Sequence, residues 1–376
     1  MSIVRLGAKA IDTTDPVLGQ VLASTDGVSL GRRNMLFNGA MRVYQRGSQS
    51  TSAGANTYFV DRFNVYIAAT AAATVSQDTD VPTGQGFTKS AKIDVTTADT
   101  SLGATDLGLF RQPLEGDDLQ HLLYGTSNAK QLTMSFWVKS SKTGTHLVEL
   151  YNAASGGARQ VSKAYTINSA NTWEFKSITI DGDTTRGFDT GVTAELYVQW
   201  VLYAGTNYTG GTLNTSWADA HGANETNRYV GQVNIFDSTS NNFYVTGAQL
   251  EVGGSNSEFE HRPIAQEELD CYRYFYKITR NDPYGEFLVI RTYSSTQGTG
   301  VMILPAPMRV QPTFTSTSVS GNFSYGMSVL AMSTTDISSH RLATHNAVGA
   351  FTANGAAVVQ KANNTDLVFM QYDAEL

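Results

Sequence analysis

The pattern of apolar and polar positions predicts short β-strands, and one segment shows that pattern with a change of phase. Residues 243–253 read FYVTGAQLEVG. Two apolar residues of odd number and then two of even number lie in it: Phe243, Val245, Ala248 and Leu250. Because successive side chains of a strand point to opposite faces, the phase change at Thr246-Gly247 requires an extra residue if all four are to face one core. A glycine within a strand is typical of such a β-bulge, so we predict a single bulged strand that closes a domain.

Two other segments alternate without a break. Their predicted core faces consist of Leu132, Met134, Phe136 and Val138 in the first, and Ala194, Leu196, Val198, Trp200 and Leu202 in the second. The opposite faces contain Trp137, Tyr197 and Tyr203, and they are more aromatic than a solvated face requires. This pattern favours either a binding surface for a glycan or a contact between subunits. Further strands are predicted at 87–95, 146–152, 173–180 and 229–236.

The strands alternate with turn signals and not with helices, which predicts an all-β protein. Composition agrees, because 34 Gly, 18 Tyr and 17 Phe accompany many Thr, Ser and Asn, while Pro is scarce at 8. Turns such as Asp181-Gly182-Asp183 and Ser155-Gly156-Gly157 separate the strands. Many short strands at this spacing are typical of a β-sandwich, and we predict a jelly roll.

Three regions of the chain differ in pattern. Residues 1–33 contain no aromatic residue and no clear periodicity, so we predict an extended N-terminal arm; a plain flexible terminus has the same pattern. Residues 34–260 hold the strands of the predicted jelly roll. In residues 261–376, Pro263 favours the first turn of a short helix, and the strand patterns beyond it predict a smaller C-terminal β-domain.

Composition and charge exclude several classes of protein. The chain of 376 residues is 16% charged and 41% apolar, which is typical of neither a disordered tail nor a membrane protein. Its formal net charge of −7 and its lack of a basic cluster predict no nucleic-acid partner. No apolar run approaches the roughly 18 residues that span a bilayer, so we predict no membrane insertion. A single cysteine, Cys271, and the lack of an apolar leader predict a protein made in a cytosol and released by cell lysis.

No catalytic motif occurs in the sequence, and we predict that the protein is not an enzyme. It lacks H-E-x-x-H, G-x-S-x-G, C-x-x-C and the P-loop, and its six histidines are scattered without metal-ligand spacing. The segment Glu115-Gly116-Asp117-Asp118 has carboxylates of the kind that glycoside hydrolysis needs. Three acids so close on one loop are more typical of a solvated turn. No cofactor is predicted.

The segment from 203 to 229 has the composition of a carbohydrate-binding surface. Together with Trp137 and Tyr197 on the strands, the candidate glycan-binding residues are Tyr203, Tyr208, Trp217, Asp219 and Arg228. Flat aromatic faces pack on the C–H groups of a pyranose, and polar side chains bind its hydroxyls. The alternative is that Trp217 covers the core beneath a long loop and that the outward aromatic residues are subunit contacts.

Several stretches of the chain together resemble one family of proteins. They are RRNMLFNGAMRVYQRG, YFVDRF, FWVKSS, FYVTGAQLEVGG, EFEHRPIAQEELDCYRYFYK and LPAPMRVQPTFTS, and they are spread over residues 32–315. In their order along the chain and in their amino-acid sequences, they resemble the virion proteins of tailed bacteriophages known as tail fibre or receptor-binding proteins. The part before the helix also resembles a carbohydrate-binding module with a jelly-roll fold.

The resemblance to carbohydrate-binding modules implies two features of the first domain. The opening Asn-Gly stretch would pair near the closing strand, and a structural calcium ion would lie between these two segments. The nearest matches to its ligands are Asn38, Asp61 and Glu251. Thr246-Gly247 stands where paired acids often lie in the closing strand, which argues against calcium.

The resemblance to virion proteins implies a structural component of a tailed bacteriophage, above all a tail fibre or spike that binds a host-surface polysaccharide. Its other partners would be two further copies in a homotrimer, and virion proteins bound through residues 1–33. The expected location is the virion, at the tail rather than the capsid. The alternatives are a capsid decoration or cement protein, a baseplate component without a ligand, and a polysaccharide depolymerase. A depolymerase would need a convergent carboxylate pair, which no strand or groove of the sequence supplies.

Overall fold

The computed structural model describes residues 32–51, 53–280, 286–292, 294–295, 297–316, 323–325, 328–336, 342–348, 356–361 and 368–376. The predicted N-terminal arm therefore lies outside the described residues, except for its last two positions. In these ranges, no helix combines the length and the apolar character that crossing a membrane requires.

Two antiparallel sheets form a β-sandwich in the first part of the chain, as the sequence predicts. Its strands are β1 (Gln49–Ser50), β2 (Asn56–Tyr58), β3 (Asn64–Ile67), β4 (Ala72–Asp78), β5 (Ser90–Thr97), β6 (Leu107–Glu115), β7 (Leu132–Ser140), β8 (Gly144–Asn152), β9 (Arg159–Ile167), β10 (Glu174–Ile180), β11 (Ala194–Ala204), β12 (Ala218–Asp219) and β13 (Asn242–Val252). The six-stranded sheet has the order β1-β4-β5-β13-β7-β10, and the seven-stranded sheet has the order β12-β9-β8-β11-β6-β3-β2. The repeated crossovers between the two sheets give the predicted jelly roll.

Short helices connect the strands. The α-helices are α1 (Thr206–Thr209) and α2 (Ile264–Tyr272), and 3₁₀ helices occupy Gly116–Asp118, Gln120–Leu122, Gly222–Asn227 and Ile235–Asp237. Helix α2 confirms the predicted short helix, and Pro263 lies at its N-terminal boundary, where the missing N–H of proline has no cost. The strand predicted at 229–236 is wrong, because a turn and the last 3₁₀ helix replace it. Asn234 stabilises that helix by accepting a hydrogen bond from the Phe236 N–H at 2.8 Å.

The closing strand β13 contains the predicted bulge. Its register against β7 shifts between Thr246 and Gln249. Gly247 has a φ of +60°, a left-handed conformation that glycine adopts without strain. The four apolar residues of the strand are each at most 1% exposed: Phe243, Val245, Ala248 and Leu250. The bulge therefore turns all four toward one core, as predicted.

The opening stretch lies along the closing strand, as the resemblance implies. The Met35 N–H donates to the Leu250 carbonyl at 2.8 Å, and the Ala248 N–H donates to the Gly39 carbonyl at 2.9 Å. The side chain of Asn34 joins the same strand, because it donates to the Ala248 carbonyl and accepts from the Leu250 N–H, both at 3.0 Å. The two ends of the sandwich sequence thus hold each other at the bulge.

Aromatic residues fill the centre of the sandwich. Trp200 of β11 is fully buried, and its ring centroid lies 5.3 Å from that of Phe110 and 5.4 Å from that of Phe136 in the opposite sheet. Burying each such side chain contributes about 1.5–3 kcal/mol. This packing fixes the two sheets, so that the side chains of the outer faces are presented by a rigid support.

A smaller β region follows helix α2, as predicted. Its strands are β14 (Phe275–Arg280), β15 (Glu286–Thr292), β16 (Gln297–Ile303), β17 (Thr313–Ser316), β18 (Phe323–Tyr325), β19 (Ser328–Asp336), β20 (Leu342–Val348), β21 (Ala356–Lys361) and β22 (Val368–Asp373). Strands β14, β22 and β17 form a sheet, and β15-β16-β20-β19-β18-β21 form a closed barrel. Residues after β22 return to the sandwich, because the Tyr58 hydroxyl donates to the Leu376 carbonyl at 2.6 Å and Arg62 pairs with Glu375. The boundary predicted near residue 260 stays a prediction.

Candidate functional site

A groove of about 520 Å³ lies on the outer face of the six-stranded sheet, beside the bulge of β13. We call it the bulge groove. Its aromatic lining consists of Phe87, Trp137, Phe175, Phe259 and His261. Polar side chains line the rest, from Gln85, Ser135, Asn256, Ser257 and Glu258. A lining of flat rings and hydrogen-bonding groups is typical of a site for a small polar ligand with an apolar face.

Neighbouring strands supply the floor of the bulge groove. Trp137 of β7 pairs directly with Phe175 of β10, and their ring centroids lie 5.4 Å apart. Phe136, which precedes Trp137 in β7, points into the core. Trp137 and its cross-strand partner Phe175 therefore point to the outer face of the sheet. Phe175 is 43% exposed although it is a large apolar residue. An exposed ring beside a half-buried tryptophan forms a platform on which a ligand can stack.

The bulge makes room for the wall of the groove. A Cβ atom at Gly247 would lie 2.6 Å from Cζ of Phe87, so the Phe87 ring rests on a position that tolerates no side chain. Phe87 packs edge-on against Phe259, with 5.0 Å between the ring centroids, and its ring is tilted by 38° to that of His261, with 5.3 Å between the centroids. The wall thus joins two loops distant in sequence, and Gly247 allows that junction.

Buried polar groups of β13 hold the second loop of the groove. Glu251 accepts from the Ser257 N–H at 2.8 Å and from its hydroxyl at 2.7 Å. Gln249 accepts from the Glu260 N–H at 2.8 Å and donates to the Glu258 carbonyl at 3.4 Å. Both anchoring side chains are buried. The loop backbone is therefore fixed, which gives the groove a preformed shape.

Of the candidate glycan-binding residues, the structure places one in this groove, Trp137. Tyr197 lies on the outer face of the other sheet, where the Arg111 guanidinium stacks 5.1 Å from its ring centroid. The Tyr151 ring lies edge-on to Tyr197 at 6.1 Å. Tyr197 is half-buried, and it belongs to a different surface from Trp137. The two residues do not form one site.

The prediction of Tyr203 as a sugar platform is wrong, because its ring is fully buried. The register of β11 against β6 shifts between Val201 and Tyr203, and this irregularity turns Tyr203 inward against the expected alternation. Its ring lies over Gly108 and 5.0 Å from Phe236. The glycine nearest to Tyr203 in sequence, Gly205, lies just beyond the end of β11 and does not indicate the shift.

The prediction for Arg228 is also wrong, because its side chain is buried in an ion pair. Its guanidinium donates to both oxygens of the Glu149 carboxylate, at 2.9 and 2.8 Å, and the Tyr229 hydroxyl donates to the same carboxylate at 2.8 Å. Tyr208 is half-buried and packs 5.8 Å from Tyr229. Residues 205–233 thus fold back over the outer face of the seven-stranded sheet and use these side chains to cover it.

Trp217 lines a separate, smaller cleft of about 190 Å³, and Asp219 contacts this cleft through Arg159 of its lining. The Trp217 indole N–H donates to the Asp181 carbonyl at 2.7 Å, and its ring lies edge-on to buried Tyr124 at 5.7 Å. Asp219 accepts from Arg159 at 3.0 Å, and this arginine also donates to Asp183 at 2.7 Å. Trp217 packs against the core cluster, which agrees with the alternative that it covers the core beneath a loop.

The residues implied as calcium ligands do not fit a calcium site. The Asn38 side chain donates to the Val43 and Asp61 carbonyls at 2.9 and 3.1 Å, and accepts from the Val43 N–H. The Asp61 carboxylate accepts from Gln45, and that of Glu251 accepts from Ser257. In the described ranges, no three or more His, Cys, Asp or Glu side chains form a group that could hold a metal ion.

The acidic loop that a depolymerase would use has structural contacts. Glu115 is 2% exposed, and both of its oxygens accept from Arg273, at 2.9 and 2.7 Å. Asp117 accepts from the Gly191 N–H at 2.6 Å. A carboxylate held in a two-point arginine pair is positioned to fix a loop. These contacts tie the loop to its neighbours and leave Glu115 inaccessible.

Sequence reasoning missed four of the five rings in the groove. Phe87 follows the glycine-rich turn Gly84-Gln85-Gly86, and Phe259 and His261 occur in a polar loop, where an aromatic residue has no core to fill. That contrast is the signal that could have found them. Phe175 belongs to a predicted strand, and its outward parity was detectable in the same way as that of Trp137.

Comparisons with known proteins give a few weak likenesses. No protein-family model matches the chain, and no curated protein matches it. It is similar to the solved enzymatically active domain of tailspike protein 4 of bacteriophage CBA120, at 13% identity and a TM-score of 0.28 over 58% of this chain and 21% of that one. It is also similar to a putative sugar binding protein from Bacteroides thetaiotaomicron, at 11% identity and a TM-score of 0.31 over 59% of this chain and 100% of that one.

A third solved structure with a likeness is the family 11 carbohydrate-binding module from Clostridium thermocellum in complex with a β-1,3-1,4-mixed-linked tetrasaccharide. The identity is 13% and the TM-score 0.27, over 57% of this chain and 98% of that one. These identities and TM-scores carry no functional conclusion for this chain.

Proposed function

We propose that this protein is a glycan-binding virion protein of a tailed bacteriophage, and that the bulge groove is its carbohydrate site. The observation that carries the binding proposal is the exposed platform of Trp137 and Phe175 next to amide, hydroxyl and carboxylate side chains. Pyranose rings present C–H groups on one face and hydroxyls at the edge. Stacked aromatic rings bind the first, and polar side chains bind the second.

The groove suits binding without catalysis. Its lining contains one carboxylate, that of Glu258, whereas glycoside hydrolysis by the usual mechanism uses two flanking carboxyl groups. The preformed loop and floor lower the conformational entropy that a ligand must remove on binding. We therefore propose a binding protein and not a depolymerase.

The virion part of the proposal is supported by the sequence stretches that resemble tail fibre and receptor-binding proteins. The protein would sit at the phage tail as a homotrimer, attach to other virion proteins through residues 1–33 and bind a host-surface polysaccharide. Immunogold labelling of intact virions with an antibody against this chain checks the location, and light scattering of the purified protein checks the mass. Gold over the head would favour a capsid decoration protein, and a monomer mass would exclude the trimer.

The binding proposal is tested by Phe175→Ala on a printed array of bacterial polysaccharides and defined oligosaccharides. Removing a ring that stacks on the ligand removes roughly 1–2 kcal/mol, so we expect affinity for the bound glycan to fall about tenfold or more. Leu123→Ala is the matched control, because both side chains are 43% exposed. Leu123 does not line the groove, so its variant keeps full affinity.

Circular dichroism and thermal unfolding show that both variants are folded. Equal affinity of the Phe175 and Leu123 variants for an array glycan that the unmodified protein binds would contradict the groove as the site. Absence of binding to every array member would contradict the proposed function itself.

A further inference from the structure

We infer that the bulge groove selects uncharged or amine-bearing saccharides and rejects carboxylated ones, and that Glu258 determines this selection. The inference rests on the proposed function, since it names the class of ligand that the proposed site takes. It follows from the charges that line the groove, from the hydrogen bonds that hold the Glu258 backbone and from the positions of the neighbouring cations.

The groove lining has one charged side chain and it is acidic. Glu258 lies beside the amides of Gln85 and Asn256 and the hydroxyls of Ser135 and Ser257, and neither Lys nor Arg contributes to the lining. His261 adds an aromatic ring to the lining. Sites that recognise carboxylates and phosphates use arginine forks or lysine, which are missing from this surface.

The Glu258 carboxylate has no counter-ion among the described residues. Its side chain is exposed, while its backbone carbonyl accepts from Gln249 at 3.4 Å and from the Arg33 guanidinium at 3.4 Å. The backbone is thus held in place behind the groove, and the negative charge stays at its edge. A ligand hydroxyl or ammonium group can donate to this carboxylate, whereas a ligand carboxylate would be repelled.

The cations near the groove lie outside its lining. The Arg33 guanidinium reaches the backbone carbonyl of Glu258 from behind, and Lys139, at the same outward parity as Trp137, pairs with Asp80. Arg262, next to His261, pairs with Asp270 at 3.1 Å. Because Glu258 is the charged side chain of the lining, it gives the groove a negative field, and the formal net charge of −7 on the chain acts in the same direction.

The test uses array pairs that share one core and differ by one carboxylate, for example sialylated N-acetyllactosamine with its carboxyl group free or converted to the methyl amide, and a hexosamine oligomer with its counterpart oxidised to a carboxylate at C6 of one residue. We expect the unmodified protein to bind the uncharged or amine-bearing member at least tenfold more tightly at 20 mM salt. The ratio should shrink severalfold at 500 mM salt, because the Debye length falls from tens of Å to a few Å. Glu258→Gln should shrink it to the same extent at low salt.

Each outcome separates the two levels of the proposal. A tenfold or larger preference that falls severalfold in Glu258→Gln supports the inference. A ratio unchanged in Glu258→Gln, or a preference of the unmodified protein for carboxylated members, overturns the inference. If Phe175→Ala still abolishes binding in that case, the proposed function is retained. Absence of binding to every pair and every polysaccharide overturns both.

Discussion

The outer faces of the two sheets of the sandwich begin from the same sequence pattern and end as different surfaces. Each has aromatic residues at outward parity, Trp137 and Phe175 on the six-stranded sheet, and Tyr151 and Tyr197 on the seven-stranded one. On the six-stranded sheet the loops that hold Phe87 and Phe259 line the bulge groove and leave Phe175 43% exposed. On the seven-stranded sheet the segment 205–233 covers part of the face and leaves Tyr151 and Tyr197 half-buried.

The difference teaches that an outward aromatic residue marks a surface with potential for contact, and that the covering segment decides which contact forms. Beneath segment 205–233 lies a small apolar cluster, consisting of Leu107, Leu109, Leu147, Val201 and Tyr229. Its polar border is the buried pair of Glu149 and Arg228. Among the described residues, the covered part of the seven-stranded face contributes stability, whereas the six-stranded face keeps an open groove.

The largest effect should follow from breaking the buried pair with Arg228→Ala. The Glu149 carboxylate is 0% exposed, and without its arginine it would be left as an uncompensated buried charge. We expect the free energy of unfolding to fall by about 3–5 kcal/mol in urea titrations. Lys92→Ala is the control, since it breaks the half-exposed pair with Asp94 and should cost less than about 1 kcal/mol. Equal losses in the two variants would contradict a closed seven-stranded face.

A slightly smaller effect should appear on acidification, through His146 of β8. Its buried ring lies between Tyr165 and Phe243, at centroid distances of 5.6 and 6.1 Å, and its Nε2 lies 3.1 Å from the Lys142 carbonyl. Burial lowers the pKa of His146 to about 4 from the usual 6.5. The folded state thus favours the neutral ring, and stability present above pH 6.5 is lost as the pH falls toward 4.

The loss through His146 should amount to about 3 kcal/mol, from the size of the pKa shift. Buried Asp61 acts in the opposite direction, because burial raises its pKa to about 6 and protonation then favours the folded state. Urea titrations between pH 7 and 4 on the unmodified protein and on His146→Phe separate the two, since Asp61 is common to both. Parallel pH profiles for the two proteins would contradict the role of His146.

Much of the sandwich could be predicted from the sequence, because period-2 alternation and a glycine at a phase change are local signals. They indicated the core faces of β7 and β11 and the bulge at Gly247, and they gave the outward position of Trp137. Tyr203 failed because a register shift inside β11 has no local signal. The prediction for Arg228 failed because its partner Glu149 is 79 residues away in sequence, and only the folding back of segment 205–233 brings the two together.

The bulge groove could be predicted only in part for the same reason. Its floor consists of adjacent strands, and their parity follows from the sequence. Its wall joins Phe87 to Phe259 and His261, more than 150 positions later in the chain, and only tertiary structure brings them together. The prediction of calcium ligands failed for a similar reason. Asn38 and Glu251 belong to two segments that lie side by side, but their side chains form hydrogen bonds with different neighbours, Val43 and Ser257.

The smallest and most specific effect should come from closing the groove at its glycine. Gly247→Ala and Gly222→Ala both place alanine at a left-handed φ, +60° and +67°, and each should cost about 1 kcal/mol for that conformation alone. A Cβ at Gly247 also meets the Phe87 ring, whereas nothing lies within 4 Å at Gly222 in the segment that covers the other sheet. We therefore expect Gly247→Ala to cost roughly 1–2 kcal/mol more in urea titrations. Because Phe87 must move, this variant should also lose glycan affinity, which Gly222→Ala keeps. If both variants lost the same stability and neither lost affinity, the Phe87 wall would not depend on the bulge, and the open face would owe its shape to its loops alone.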